Sequence, residues 1–141
     1  MENLCPCGSE NKYENCCQPI HNELVIAQFP AELMRARYSA FVKKNIHFLV
    51  SSLDSQVREL DDEQSYSSWA NTAFFRKLLI LNESIEKNKG TVEFKAFFCE
   101  DNKEQVLHEI SQFRKQNGKW YYRNGKVKIY ENSDRAHTGT T

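Results

Sequence analysis

Long apolar runs are missing from this chain. No stretch approaches the 18 or more apolar residues that span a bilayer, and the first twenty residues are polar and cysteine-rich, without an apolar segment of signal-peptide length. A cytoplasmic protein, neither exported nor inserted in a membrane, is expected. Charge of one sign is lacking too. Nineteen Lys and Arg stand against nineteen Asp and Glu, which excludes a globally basic nucleic-acid binder and an acidic solvating tail. Five glycines leave little room for a phosphate-cradling loop, and no GxSxG, P-loop, HExxH or GxGxxG pattern occurs. No internal repeat or low-complexity linker divides the 141 residues. They read as one domain's worth of chain, able to bury about two thirds of its unfolded surface.

What is present is a cysteine cluster. Cys5, Cys7, Cys16 and Cys17 fall within thirteen residues, while Cys99 stands alone. The pattern C-x-C, eight residues, C-C lets a turn-rich segment fold back so that four thiolates converge, and four sulfurs suit one zinc ion, tetrahedral at about 2.3 Å. Pro6 fixes a torsion between the first two ligands, and the ring of Tyr13 is placed to cover one side of the metal. Disulfides are the competing reading. Bridges within Cys5–Cys7 or Cys16–Cys17 would be strained, which leaves cross-pairing as the alternative. A zinc ion with four protein thiolates has no open position, so its role is structural. Loss of Cys7 or Cys16 is expected to unravel residues 4–20 and leave the rest folded. His21, just past the cluster, is weighed as a substitute ligand and read instead as solvent-facing.

Cys5-Pro6-Cys7-Gly8-Ser9, with Lys12-Tyr13 and then Cys16-Cys17, resembles the SEC-C motif, the short zinc segment found at the C-terminus of the SecA translocase ATPase. Leu33-Met34-Arg35-Ala36-Arg37-Tyr38-Ser39-Ala40-Phe41-Val42, Glu109-x-Ser111-x-Phe113 and Asn117-Gly118-Lys119-Trp120-Tyr121-Tyr122 resemble the bacterial YchJ-like family. The resemblance runs in order over residues 4–125. It implies an SEC-C zinc-binding segment over 1–23 and an NTF2-like (cystatin-like) α+β cone over 24–131, with a tail at 132–141 expected to fray. Members of that family commonly carry a second SEC-C motif at the C-terminus, whereas residues 132–141 hold no cysteine. Residues 1–23 also set Glu2, Glu10, Glu14 and Glu23 against Lys12 alone, and four thiolates on zinc add a net charge of about minus two. An acidic partner or phospholipid is therefore not carried over from SecA.

Read from the residues, the body is α+β. Pro30 starts a helix in which Met34, Tyr38, Phe41 and Val42 recur at helical spacing to about Lys44. A short helix is predicted over Ile46–Leu53, then a polar stretch, Asp54–Ser68, part helix and part loop. Strands follow over Lys77–Glu86, Thr91–Glu100, Glu104–Gln116 and Lys119–Arg123, with Lys126–Tyr130 as an extension. Asn88-Lys89-Gly90, Asp101-Asn102-Lys103, Asn117-Gly118 and Asn124-Gly125 read as turns between them. Helices first and a meander second place the helices on one face of a curved antiparallel sheet.

Alternation puts Val92, Phe94, Ala96 and Phe98 on one face of their strand, and Leu107, Glu109, Ser111 and Phe113 on one face of the next. A carboxylate and a hydroxyl beside Leu and Phe describe a cavity wall with a polar floor. Arg35 or Arg37 would pair with Glu109 there, and Tyr38 and Trp69 would line the rim. The bland version of the same pattern is a buried salt bridge that fixes helix against sheet. No acid–base pair converges clearly. His47 and Asp54 are seven residues apart, His108 lies on the strand face opposite Glu109, and Cys99 reads as packing, so no catalytic residue is assigned. From Arg114 to Tyr130 the chain is basic, with Arg114, Lys119 and Arg123 among the cations and Trp120, Tyr121 and Tyr122 interleaved. Single-stranded nucleic acid would bind such a hairpin. The preferred reading is an edge strand whose aromatics fill the core while its lysines meet solvent.

The function expected is that of a zinc-binding adapter, docking a protein partner through the knuckle, with Tyr13 and Lys12 at its tip. The alternative is small-molecule binding or catalysis centred on Glu109, Ser111, Arg35 and Tyr38. A homodimer through an exposed sheet face is what the NTF2-like resemblance implies.

Overall fold

The structure, a computed structural model, describes residues 3–132; the expected tail lies outside them, apart from Asn132, whose N–H still donates to the Glu104 carbonyl at 2.9 Å. A 3-10 turn at Tyr13–Asn15 and a one-turn helix α1 (Gln18–His21) close the cysteine segment. Helices α2 (Pro30–Lys43), α3 (Ile46–Ser51) and α4 (Asp62–Thr72) follow, with a 3-10 turn at Ser55–Val57. Strands β1 (Phe74–Glu86), β2 (Lys89–Glu100), β3 (Lys103–Gln116) and β4 (Lys119–Glu131) then form a four-stranded sheet in the order β1-β2-β3-β4, every pair antiparallel. This is the expected α+β arrangement of helices on a meander.

Local chemistry sets the boundaries. Pro30 occupies the first turn of α2, where its missing N–H costs nothing, and Lys44 ends the helix in the left-handed conformation at φ 59°. Asn45 caps α3, its Oδ1 accepting from the Phe48 N–H at 3.1 Å. The strands turn through Lys87–Asn88, Asp101–Asn102 and Asn117–Gly118. In the last two hairpins both turn residues have positive φ, the geometry that matches strand twist. The first hairpin thus turns one step before the expected Asn88-Lys89-Gly90, because Gly90 is a core position, packed under Pro30 and Trp120 with no room for a Cβ.

Asn124-Gly125 is not a turn. The strand β4 runs straight through it, and the register slips there: Gln112 faces Asn124 while Phe113 faces Tyr122, so Arg123 is the extra residue of a bulge. Glu109 is the physical reason for the glycine. A Cβ at Gly125 would collide with the Glu109 carboxylate.

The core lies between α2 and the inner face of the sheet, where Val92, Phe94, Ala96 and Phe98 meet Leu107 and Phe113. Helix α2 is buried on more than one side. Leu33, Met34, Tyr38 and Phe41 pack inward, while Ala36 and Ser39, with no exposed surface, sit under the cysteine segment. Val42, expected in the apolar stripe, faces out. Three of the four clustered cysteines, Cys5, Cys7 and Cys17, belong to the same buried cluster as the body. No helix of the described residues is long and apolar enough to cross a membrane.

Candidate functional site

The sulfurs of Cys5, Cys7, Cys16 and Cys17 all lie within 4.8 Å of one another. Folding brings them together by pairing two short arms: Leu4 bridges Lys12, the Cys5 N–H donates to the Asn11 carbonyl at 2.8 Å, and the Tyr13–Asn15 turn delivers Cys16. Gly8 turns the chain at φ 86°, a conformation costly for any other residue. Cys7 Sγ stands 3.6 Å from Cys16 Sγ, Cys16 Sγ stands 3.9 Å from Cys17 Sγ, and all five cysteines of the chain are free thiols. Cys7 is poised to ionise ahead of Cys16 and Cys17. Hydrogen bonds from Cys17, and then from Ser9 and Cys16, outweigh burial and pull the Cys7 thiol down to about 4. Cys16 is pushed up to about 11, chiefly by burial, and Cys17 is pushed up mainly by its bond to Cys7. Four sulfurs that cannot all ionise without a counter-charge form a site built for a cation.

The centre is fastened to helix α2 by three polar contacts. Arg35 Nη1 donates to the Cys7 carbonyl at 2.8 Å. Cys5 Sγ lies 3.3 Å from Ser39 Oγ. His21 is neither a ligand nor solvent-facing. It is buried, with Nε2 donating to the Ala36 carbonyl at 2.7 Å and Nδ1 accepting from the Tyr13 hydroxyl at 2.7 Å. Burial, more than any other influence, lowers its pKa, so the neutral ring is the folded form. Tyr13 is consequently turned inward, with Lys43 Nζ 4.4 Å above its ring, and of the two residues expected at the tip only Lys12 is exposed.

A cavity of about 140 Å³ lies behind α2, lined among others by Tyr38, Trp69, Glu109, Arg37 and Tyr122. Of the residues expected there, Tyr38, Trp69 and Glu109 line it. Ser111 sits behind Glu109, donating to Oε2 at 2.5 Å, and Phe113 packs edge-on against Tyr122. Arg35 is not at this wall. Residues two apart on a helix point about 200° away from each other, so Arg35 reaches the cysteine centre and Arg37 the cavity. The Arg37 guanidinium, 2% exposed, donates to the Leu49 carbonyl, Ser52 Oγ and the Tyr66 hydroxyl at 2.8, 2.5 and 2.9 Å, and lies 4.4 Å from the centroid of the Tyr122 ring. It forms no direct ion pair with Glu109 among the described residues. Tyr122 bridges them, its hydroxyl donating to Glu109 Oε2 at 2.6 Å. Burial first, then the charge of Glu109, raises the Tyr122 pKa, so the phenol keeps its proton.

The remaining candidates do not converge. His47 is exposed, and α3 ends before Asp54, which is buried and accepts from the Gln56 N–H at 2.9 Å. His108 pairs with Glu93 at 2.8 Å on the outer face of the sheet. On the basic stretch, Lys119 lies 3.8 Å from Glu23 and Arg123 lies 3.7 Å from Asp54, while Arg114 is exposed. Trp120 is buried, donating to the Gln28 carbonyl at 3.3 Å.

Comparison with known proteins agrees with this architecture. A family model described as YchJ, middle NTF2-like domain, matches residues 29–125, and one described as SEC-C motif matches residues 3–19. A UPF0225 protein of Vibrio cholerae serotype O1 is 34% identical over 123 residues, 86% of this chain and 82% of that protein. The solution structure of a SEC-C motif containing protein from Rhodopseudomonas palustris matches with a TM-score of 0.83 at 38% identity, covering 87% of this chain and 97% of that one. The crystal structure of a SEC-C motif containing protein from Psychrobacter arcticus matches with a TM-score of 0.74 at 28% identity, covering 89% and 82%.

Proposed function

The chain belongs to the YchJ family with its NTF2-like domain, here behind an N-terminal SEC-C motif, and from that premise we propose that it is a cytoplasmic interaction protein whose N-terminal segment is stapled to the body by one structural zinc ion. The observation that carries this is the packing of four sulfurs. A tetrahedral zinc with bonds of about 2.3 Å requires sulfur–sulfur edges of about 3.8 Å, and the two sulfur pairs quoted above stand at 3.6 and 3.9 Å. Cys5, Cys7, Cys16 and Cys17 would hold the ion. Bound there, zinc supplies a fixed positive charge in a closed coordination shell, and no chemistry on a substrate.

The inner side of the knuckle is committed to the body through Arg35, His21 and Ser39. Its outer side, with Glu10, Asn11, Lys12 and Glu14 exposed and Leu4 beside them, is the small rigid surface left for a protein partner. Native mass spectrometry before and after chelation tests the zinc: one ion per chain supports the staple, and a metal-free chain with disulfides refutes it. Exchanging the outer charges, Glu10→Lys with Lys12→Glu, tests the docking. Zinc content and melting temperature are expected to hold while a co-purifying partner is lost; a partner that stays bound refutes docking at the knuckle.

A further inference from the structure

The cavity contains acceptor capacity that the protein does not use. Glu109 is 7% exposed, and both of its hydrogen bonds, from Ser111 and Tyr122, converge on Oε2. No donor among the described residues reaches Oε1. Tyr38, 3% exposed and also lining the cavity, makes no hydrogen bond through its hydroxyl among the described residues. A carboxylate oxygen that no protein donor reaches is an open acceptor, and here it belongs to a residue that lines the cavity.

The rest of the wall defines what could meet it. Seven aromatic rings line the cavity, those of Tyr38, Phe41, Tyr66, Trp69, Phe75, Phe94 and Tyr122, and Met34, Ala96 and Leu107 add to the apolar surface. Size is limiting: about 140 Å³ compares with the cavity of about 150 Å³ that admits benzene. Charge is already balanced, because the Arg37 guanidinium and the Glu109 carboxylate both face this space, and Arg37 is held by the Leu49 carbonyl, Ser52 Oγ and the Tyr66 hydroxyl. A charged guest would leave a net charge buried.

We propose that this cavity binds a neutral, single-ring-sized apolar molecule carrying one hydroxyl group, which donates its hydrogen bond to Glu109 Oε1 while the ring packs among the aromatic side chains. Gly125 belongs to the same device, since any side chain there would push the Glu109 carboxylate out of place. This inference does not depend on the zinc.

The probes are phenol, toluene and piperidinium, close in size and differing in the donor and the charge. Each is titrated into the full metal-loaded chain, with affinities from backbone amide shifts at Phe94, Leu107 and Glu109. Saturable phenol binding, at least about tenfold tighter than either of the others, is expected from a hydrogen bond to a charged acceptor. Glu109→Gln is expected to erase that preference and leave toluene unchanged. Because Glu109→Gln also weakens the Ser111 and Tyr122 bonds, Ala96→Leu provides the second arm: it fills the cavity and should abolish phenol binding in a chain that still melts cooperatively. Toluene binding as tightly as phenol, piperidinium binding most tightly, phenol binding retained in Ala96→Leu, or no binding of any probe would each overturn the proposal.

Discussion

In the knuckle, four cysteines lie within thirteen residues, and their sulfurs converge because one short segment doubles back on itself. Around the cavity, Arg37, Glu109, Ser111 and Tyr122 come from α2, β3 and β4, and they meet only after the sheet has found its register. The first region gathers four thiols positioned to hold a metal ion. The second gathers charges that neutralise one another through a phenol, and needs only correct packing. Contiguous sites of the first kind are written locally, whereas sites of the second kind inherit every error in strand register.

The largest expected effect breaks the separation between the two regions. The sequence alone suggests that losing Cys7 unravels only residues 4–20, but Arg35, His21 and Ser39 tie that segment to α2. Three such bonds at about 1 kcal/mol each should carry the damage into the body. Cys7→Ser should therefore lower the melting temperature of the whole chain by roughly 10 °C, measured by calorimetry; a body that melts unchanged would show two independent units.

Gly125→Ala tests the cavity side. The added methyl meets the Glu109 carboxylate, so a loss of roughly 1–3 kcal/mol is expected in chemical denaturation, with zinc content intact. Adding Glu109→Ala should recover part of it, and an additive double variant would contradict the clash.

A smaller effect concerns pH. His21 is neutral when folded, with its pKa lowered from 6.5 mainly by burial. Between that lowered value and about 6.5 the unfolded chain binds more protons than the folded one. The contribution is thus complete above about 6.5 and is lost as the pH falls through the window below it. Thermal melts from pH 7.5 to 5.5 should fall more steeply for the wild type than for His21→Gln; parallel curves would remove His21 as the titrating link. The smallest effect is a contrast on the outer sheet face. Glu93→Gln, which breaks the half-exposed pair with His108, should cost less than about 1 kcal/mol and leave both zinc and phenol binding unchanged.

How much of this could be read beforehand follows from the same contrast. The cysteine spacing suffices to gather four sulfurs, and alternation places Glu109 and Ser111 on the inner face of β3. Tyr122 lies inside the strand expected over Lys119–Arg123, but its place in the cavity depends on Arg37 from α2 and Glu109 from β3, contacts that alternation along one strand does not specify. The strand passes through Asn124-Gly125 with a bulge at Arg123. The break in parity between Trp120 and Tyr122 on one side and Gly125 and Val127 on the other was the available signal. Sequence does not separate Arg35 from Arg37, because helical phase on α2 cannot be fixed when the helix is buried on several sides. His21 looked solvent-facing because its partner, the Ala36 carbonyl, is a backbone group that no sequence pattern marks.

The staple is tested most directly by amide hydrogen exchange on the zinc-loaded chain with and without a chelator. Exchange is expected to rise in residues 4–20 and also in α2 from Leu33 to Phe41, where Arg35, Ala36 and Ser39 hold the knuckle. Exchange that rises in residues 4–20 alone, with α2 as protected as before, would contradict a metal that stabilises the body.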